Sequence, residues 1–138
     1  MNHLILNSGN RATLAQWLAE DACVVACLCA AWCDTCSAYK SRFAELAAMH
    51  PEQRFVWIDI EDEADLVGDI DVDNFPTLLM QQSGIVSFFG TVLPDLRQAD
   101  LVLKAQLGKS IGELAQEAGT SEDRKDWQRN YSLRKRLS

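Results

Sequence analysis

The sequence predicts an α/β domain with a central mixed β-sheet flanked by helices, followed by a helical C-terminal extension. Continuous apolar runs alternate with segments of helical periodicity in the first half of the chain, which indicates parallel strands joined by helices. Two further strand-like runs are separated only by Ser83-Gly84, which indicates a hairpin and therefore an antiparallel pair. The length of 138 residues is typical of one domain.

The first elements follow from local patterns. HLILN is a short apolar run and predicts a strand. Leu14, Trp17 and Leu18 fall on one face of a helix over residues 11–20. CVVACLCA is continuously apolar, as expected for a strand buried on both faces. A helix over residues 34–49 follows and ends at His50-Pro51.

The second half continues the order β-α-β-α-β-α-β-β-α. RFVWIDI predicts another buried strand, and EDEADLVGDI predicts a short acidic helix or turn. PTLLMQQ and IVSFFG form the hairpin. Pro94 and Asp95 suit the start of a helix that Gly108 ends.

The C-terminal extension spans residues 109–138, after a domain that spans residues 1–108. Ser110 and Glu113 form a capping-box pattern, which predicts a short helix. We expect this helix to dock on the domain and the last ten or so residues to be mobile. Deletion of residues 121–138 is therefore expected to leave the fold nearly intact.

The charge is unevenly distributed. The net charge is −7; residues 1–121 carry 17 acids and 7 bases, whereas residues 122–138 carry 3 acids and 6 bases. An acidic body argues against a nucleic-acid partner, because phosphates need Lys and Arg as counter-charges. The basic tail is interpreted as a solvated end, although an acidic partner is an alternative.

The N-terminus has no pattern typical of a targeting segment, and the longest apolar run, ACVVACLCAAW, is too short to cross a bilayer. We therefore expect a cytoplasmic protein without a membrane partner. Thiols stay reduced in that compartment, so its clustered cysteines are more often catalytic or metal-binding than structural.

The most informative motif is Trp32-Cys33-Asp34-Thr35-Cys36, between a buried strand and a helix. Unpaired N–H groups and the helix dipole at a helix start favour a thiolate at Cys33. Cys36 lies within one helical turn, so the two sulfur atoms can meet. A disulfide substrate that Cys33 attacks can then be resolved by Cys36.

Cys23, Cys27 and Cys29 have odd numbers and therefore share one face of their strand. The favoured interpretation is that they are small residues that fill a core. The alternative is a metal site, because Cys29, Cys33 and Cys36 have the spacing of a three-cysteine iron–sulfur motif and Cys27 adds a fourth thiolate. Strand residues that point into a core are not expected to converge with a pair at a helix start.

The sequence resembles the thioredoxin family over roughly residues 3–107. The resemblance rests on AAWCDTC after an apolar strand, on VWIDI, on FPTLLM about forty residues after the cysteines, and on FFG before the last helix. It implies a thioredoxin-like fold, with Cys33 as the attacking thiol and Cys36 as the resolving one. It also implies a cis bond before Pro76 and substrate contacts from Trp32, Phe75 and Pro76.

The chain departs from the family pattern at the proton-handling positions. The family has a buried acid where Cys27 stands, and often a lysine where Trp57 stands. The expected function is a thiol-disulfide oxidoreductase that exchanges the Cys33/Cys36 pair with protein or small disulfides, with slow turnover and without a cofactor or metal. It is expected to be a monomer whose partners are a disulfide-containing protein substrate and an unidentified reductase or electron donor. The alternatives are a non-catalytic thioredoxin-like binding module and a cysteine-ligated metal or iron–sulfur protein.

Overall fold

The computed structural model describes residues 2–20 and 22–138. It contains five strands and seven helices in these residues. In chain order they are β1 (His3–Ile5), α1 (Arg11–Ala19), β2 (Val24–Cys29), α2 (Asp34–Met49), β3 (Arg54–Asp59), α3 (Ala64–Val67), β4 (Thr77–Gln82), β5 (Ile85–Thr91), α4 (Leu96–Leu107), α5 (Ile111–Glu117), α6 (Glu122–Asn130) and α7 (Leu133–Leu137).

The strands form one mixed sheet in the order β1-β3-β2-β4-β5. β1 and β2 run parallel to β3, whereas β4 runs antiparallel to β2 and to β5. The hairpin turn places Ser83 at a φ of 51° and Gly84 at a φ of 81°. Both residues are in the left-handed region that two-residue hairpin turns require. The predicted mixed sheet with helices on both sides is confirmed.

The central strand β2 divides the interior into two apolar cores. All six of its residues are buried, and successive side chains point to opposite faces of the sheet. Cys23, Val25, Cys27 and Cys29 contribute to the first core, which also contains the buried face of α2. The other β2 side chains contribute to the second core, beneath α1 and α3. The predicted common face of the three cysteines is therefore correct.

Helices α6 and α7 pack on the second core, whereas the sequence pattern favours mobility of the last ten or so residues. Leu133 is fully buried. The ring of Phe89 lies 6.3 Å from that of Trp127 and 4.6 Å from that of Tyr131. The physical reason is that the outer face of the hairpin is apolar and needs a cover, and the tail supplies these side chains.

Polar contacts fix the tail in register with the hairpin. The Nε2 group of Gln81, which is buried, donates to Ser132 Oγ over 2.8 Å, and its Oε1 accepts from the Leu133 N–H over 2.9 Å. Gln128 binds the Val86 N–H and carbonyl group over 2.8 and 2.7 Å. Because β5 is an edge strand, this side chain satisfies backbone groups that would otherwise be unpaired.

A salt bridge of 2.6 Å between Arg136 and Asp69 holds the end of the tail, and Arg136 also donates to the Leu66 carbonyl group over 2.8 Å. The predicted capping box is confirmed, since Ser110 and Glu113 form both of its hydrogen bonds. Among the described residues, no helix has the length and the apolar character needed to cross a membrane.

Candidate active site

Cys33 is the N-cap residue of α2. Its backbone is extended, with φ −89° and ψ 118°, and its carbonyl oxygen accepts from the Ser37 N–H over 3.1 Å, which begins the helix. The Cys33 N–H donates to the Ala30 carbonyl oxygen over 3.1 Å and so closes the turn after β2. The side chain is partly exposed and packs against the first core. Among the cysteines of residues 2–20 and 22–138, Cys33 alone is not buried.

The residues that the resemblance implies for substrate contact lie together. Trp32 precedes Cys33 and is 68% exposed. Its ring meets the ring of Phe75 edge-on, with 5.6 Å between the centroids. Phe75 packs partly against the first core, as Cys33 does. The Phe75–Pro76 bond is cis, as predicted. The Pro76 carbonyl oxygen accepts from the Val92 N–H over 3.1 Å, which ties this segment to the end of β5.

Cys36 forms a disulfide with Cys29 and not with Cys33. The sequence-based pairing of Cys33 with Cys36 is thus not the one in this structure. The expectation that strand cysteines would not converge with the helix-start pair is wrong for Cys29. The reason is geometric: Cys29 ends β2 on the face that α2 covers, and its Cα lies 5.8 Å from that of Cys36, within the usual range for a disulfide.

Cys27 and Cys23 remain free and buried on the same face. The Sγ atom of Cys27 lies 3.9 Å from that of Cys29. Burial raises the pKa of the Cys23 thiol to about 12 and that of the Cys27 thiol well above its ordinary value, because a thiolate loses its hydration in an apolar core. These two residues fit the interpretation as core-filling thiols.

Cys27 and Trp57 are register partners on the adjacent strands β2 and β3. A thiol and an indole thus occupy the neighbouring positions where the family resemblance places an acid and a lysine. The ammonium group of Lys40 lies 5.8 Å above the indole ring of Trp57. A positive charge therefore reaches this region from α2 and not from β3.

A solvent-accessible cleft of about 240 Å³ opens beside Cys36. Polar and charged side chains contribute much of its lining, notably Ser37, Lys40, Asp59 and Asp62. Asp59 is held in place because its carboxylate accepts from the N–H groups of Glu61 and Asp62 over 2.8 and 3.1 Å. The cleft gives water and ionisable groups access to the surroundings of a sulfur atom that is itself buried.

Sequence reasoning included Cys29 only in the metal-site alternative and not in the redox pair. One signal was available, since its odd number places it on the face of β2 that the helix after the motif must cover. No group of three or more His, Cys, Asp or Glu side chains in residues 2–20 and 22–138 is arranged to hold a metal ion. The geometry supplies one accessible thiol and one buried disulfide, which are reactants for thiol–disulfide exchange.

Comparison with known proteins finds similarity to thioredoxins, both in a family model and in a curated relative. The family model described as Thioredoxin matches residues 7–95. A curated relative, thioredoxin-1 from Caenorhabditis elegans, is 34% identical over 71 residues, which are 50% of this chain. The match spans 62% of the length of that relative.

Solved structures show the same fold at low identity. A thioredoxin from Trypanosoma brucei brucei superposes with a TM-score of 0.64 at 19% identity, over 77% of this chain and 91% of that one. A chain from the complex of ferredoxin:thioredoxin reductase and thioredoxin f2 superposes with a TM-score of 0.66 at 16% identity, over 78% of this chain and 96% of that one.

Proposed function

Because the chain belongs to the thioredoxin family, we propose that it is a thiol-disulfide oxidoreductase in which Cys33 and Cys36 exchange a dithiol for a disulfide. The observation that supports this proposal best is the position of Cys33. It is a partly exposed thiol at the N-cap of α2, with Cys36 about one helical turn later. No cofactor is needed, since sulfur atoms carry the electrons.

The chemistry proceeds in two exchange steps. The Cys33 thiolate attacks one sulfur atom of a substrate disulfide, a mixed disulfide forms, and the other substrate sulfur leaves as a thiolate. The Cys36 thiolate then attacks Cys33, forms the Cys33–Cys36 disulfide and releases the second substrate thiolate. The substrate gains two electrons and the pair loses two. The second step requires Cys36 to be free of Cys29.

Trp32, Phe75 and Pro76 are proposed to hold the substrate. The exposed indole of Trp32 and the ring of Phe75 form an apolar wall beside Cys33. Phe75 and Pro76 directly precede β4. An extended substrate segment would lie beside the backbone of these two residues, in the manner of strand addition. The substrate class is a disulfide-containing protein.

The proposed setting is the cytoplasm, with the chain as a monomer that is reduced by an unidentified reductase and takes part in electron transport and redox homeostasis. Two observations support this setting. No membrane-crossing helix occurs among the described residues, and one structural neighbour comes from a complex with a thioredoxin reductase.

A second candidate is a non-catalytic thioredoxin-like binding module. The observation that favours it is the Cys29–Cys36 disulfide, since it withholds the resolving thiol from Cys33. In that case the Trp32–Phe75 surface would bind a partner without turnover.

Trapping of a mixed disulfide separates the two candidates. The Cys36→Ser variant lacks the resolving thiol, so it should accumulate a covalent complex through Cys33 when it is mixed with oxidised insulin. The Cys33→Ser/Cys36→Ser variant is the control and should trap nothing. If Cys36→Ser forms no complex, or forms it through another cysteine, the oxidoreductase assignment to Cys33 is wrong.

A further inference from the structure

Four of the five cysteines lie in one continuous group that runs from the surface into the first core. Cys33 is partly exposed and packs against this core, Cys36 is bonded to Cys29, and Cys29 Sγ lies 3.9 Å from Cys27 Sγ. Cys36 therefore has two possible partners, Cys33 at the N-cap of α2 and Cys29 on β2. A sulfur atom forms one disulfide at a time, so the two pairings exclude each other.

We propose that Cys36 alternates between two disulfide partners, Cys33 and Cys29, and that Cys29 is a third redox residue of this site. The inference rests on the proposed function for the Cys33–Cys36 pairing, whereas the Cys29–Cys36 pairing is the one observed. In one form Cys29 is bonded to Cys36 and Cys33 is a free thiol. In the other form Cys33 is bonded to Cys36 and Cys29 is a free thiol.

The exchange between the two forms is balanced and needs no external oxidant. The Cys33 thiolate attacks Cys36 Sγ, the Cys33–Cys36 bond forms, and the Cys29–Cys36 bond breaks with Cys29 as the leaving thiolate. One disulfide is consumed and one is formed, so the protein is neither oxidised nor reduced. The proton that Cys33 releases goes to water, and Cys29 takes up a proton in its place.

The surroundings of Cys29 determine how this thiolate is accommodated. Cys27 keeps its proton because burial raises its pKa, so its S–H group is available to donate to the Cys29 sulfur across 3.9 Å. The cleft beside Cys36 admits water, which provides a route for the proton. A thiolate in an apolar core is nevertheless costly, so Cys29 leaves slowly. The buried disulfide thus acts as a slowly exchanging oxidised form with an accessible thiol at Cys33.

The Cys33→Ser variant tests the inner pairing. Ser is a good N-cap residue, so this change keeps the start of α2. The reduced variant is treated with diamide, and its free thiols are blocked with N-ethylmaleimide in acid. Endoproteinase Asp-N then cleaves before Asp34 and separates Cys36 from the upstream cysteines. We expect a joined fragment pair in which tandem mass spectrometry assigns the link to Cys29 and Cys36, and the loss of two titratable thiols per chain.

Two matched variants complete the experiment. Cys23→Ala removes a buried cysteine of the same face that is not part of the disulfide, and it should leave both pairings of Cys36 unchanged. Cys29→Ala should form only the Cys33–Cys36 link. In the oxidised wild-type protein, incubation at pH 8 before the acid quench should change the ratio of the two links, because exchange requires the Cys33 thiolate.

The inference is overturned if oxidised Cys33→Ser contains no Cys29–Cys36 link, or if the wild-type ratio is fixed at pH 8. The proposed function fails separately, if Cys29→Ala forms its Cys33–Cys36 link but does not reduce insulin. In that case a Cys29–Cys36 link in Cys33→Ser and a changing ratio in the wild-type protein would still support two partners for Cys36.

Discussion

Leu133 provides the sharpest test of whether the C-terminal helices are part of the fold. It begins α7, is fully buried and belongs to the second core together with residues of α1, β2 and β4. Leu133→Ala removes three carbon atoms from this core, worth about 2.4 kcal/mol at ~0.8 kcal/mol each. Incomplete collapse of the cavity adds to this, so the free energy of unfolding should fall by about 3 kcal/mol.

Urea unfolding followed by circular dichroism measures this change. With an m-value of about 2 kcal/mol/M, the midpoint should fall by about 1.5 M, and the melting temperature by roughly 10 °C. Leu101→Ala is the matched control, because Leu101 is 67% exposed on α4 and its loss should cost less than about 0.5 kcal/mol. Deletion of residues 121–138 should destabilise the fold more than Leu133→Ala does. If both Leu133→Ala and the deletion match the wild-type protein, the tail is not part of the core.

Three further predictions concern thiols and pH. Brief treatment with iodoacetamide near neutral pH should label Cys33 much faster than Cys23 or Cys27, which are buried, and mass mapping that finds equal labelling would refute the assignment. Cys27→Asp should speed insulin reduction, since it provides a proton acceptor near the pair, at a cost in stability from burial of an ionisable group; an unchanged rate in a folded variant would count against this. Hydrogen bonds from Lys104 and His50 lower the pKa of Asp100, so its ionised form stabilises the fold above the ordinary carboxyl pKa of about 4. This contribution is lost as the pH falls through the lowered folded-state pKa. The stability of Asp100→Asn should therefore depend less steeply on pH in acid than that of the wild-type protein, and parallel curves would contradict the pairing.

Much of the fold follows from local patterns in the sequence. The helix predicted over residues 34–49 has the observed bounds of α2, because its apolar stripe and its end at His50-Pro51 are both local signals. Local signals also predict the hairpin, since two apolar runs flank Ser83-Gly84. The parity of Cys23, Cys27 and Cys29 gave their common face, since strand side chains alternate.

Local patterns do not predict the disulfide partner of Cys36. Parity places Cys29 on the covered face but does not give its distance from α2, which depends on how the helix packs on the sheet. The motif spacing favoured Cys33, whereas packing placed Cys29 within bonding distance. Local patterns therefore place Cys33 and Cys36 together at the start of α2, but they do not give the partner of Cys36 in a given redox state.

The docking of the tail also depends on contacts that are distant in sequence. Gln81 binds Ser132 and the Leu133 backbone, about fifty residues later in the chain. Neither segment has a sequence pattern that predicts its contact with the other. The same holds for His50 and Asp100, whose side chains are 2.6 Å apart. Most residues of α6 and α7 are charged, so their composition favours a solvated end. The few apolar side chains that pack against the domain are too sparse to form a clear apolar stripe in the sequence.

The central claim is that Cys33 starts thiol–disulfide exchange. The most direct test is the initial rate of insulin reduction with dithiothreitol as the electron donor, measured for the wild-type protein, Cys33→Ser and Cys23→Ala. We predict that Cys33→Ser loses the protein-dependent rate by about tenfold or more, since the nucleophile is gone, whereas Cys23→Ala keeps it. A Cys33→Ser variant that reduces insulin as fast as the wild-type protein would contradict the account.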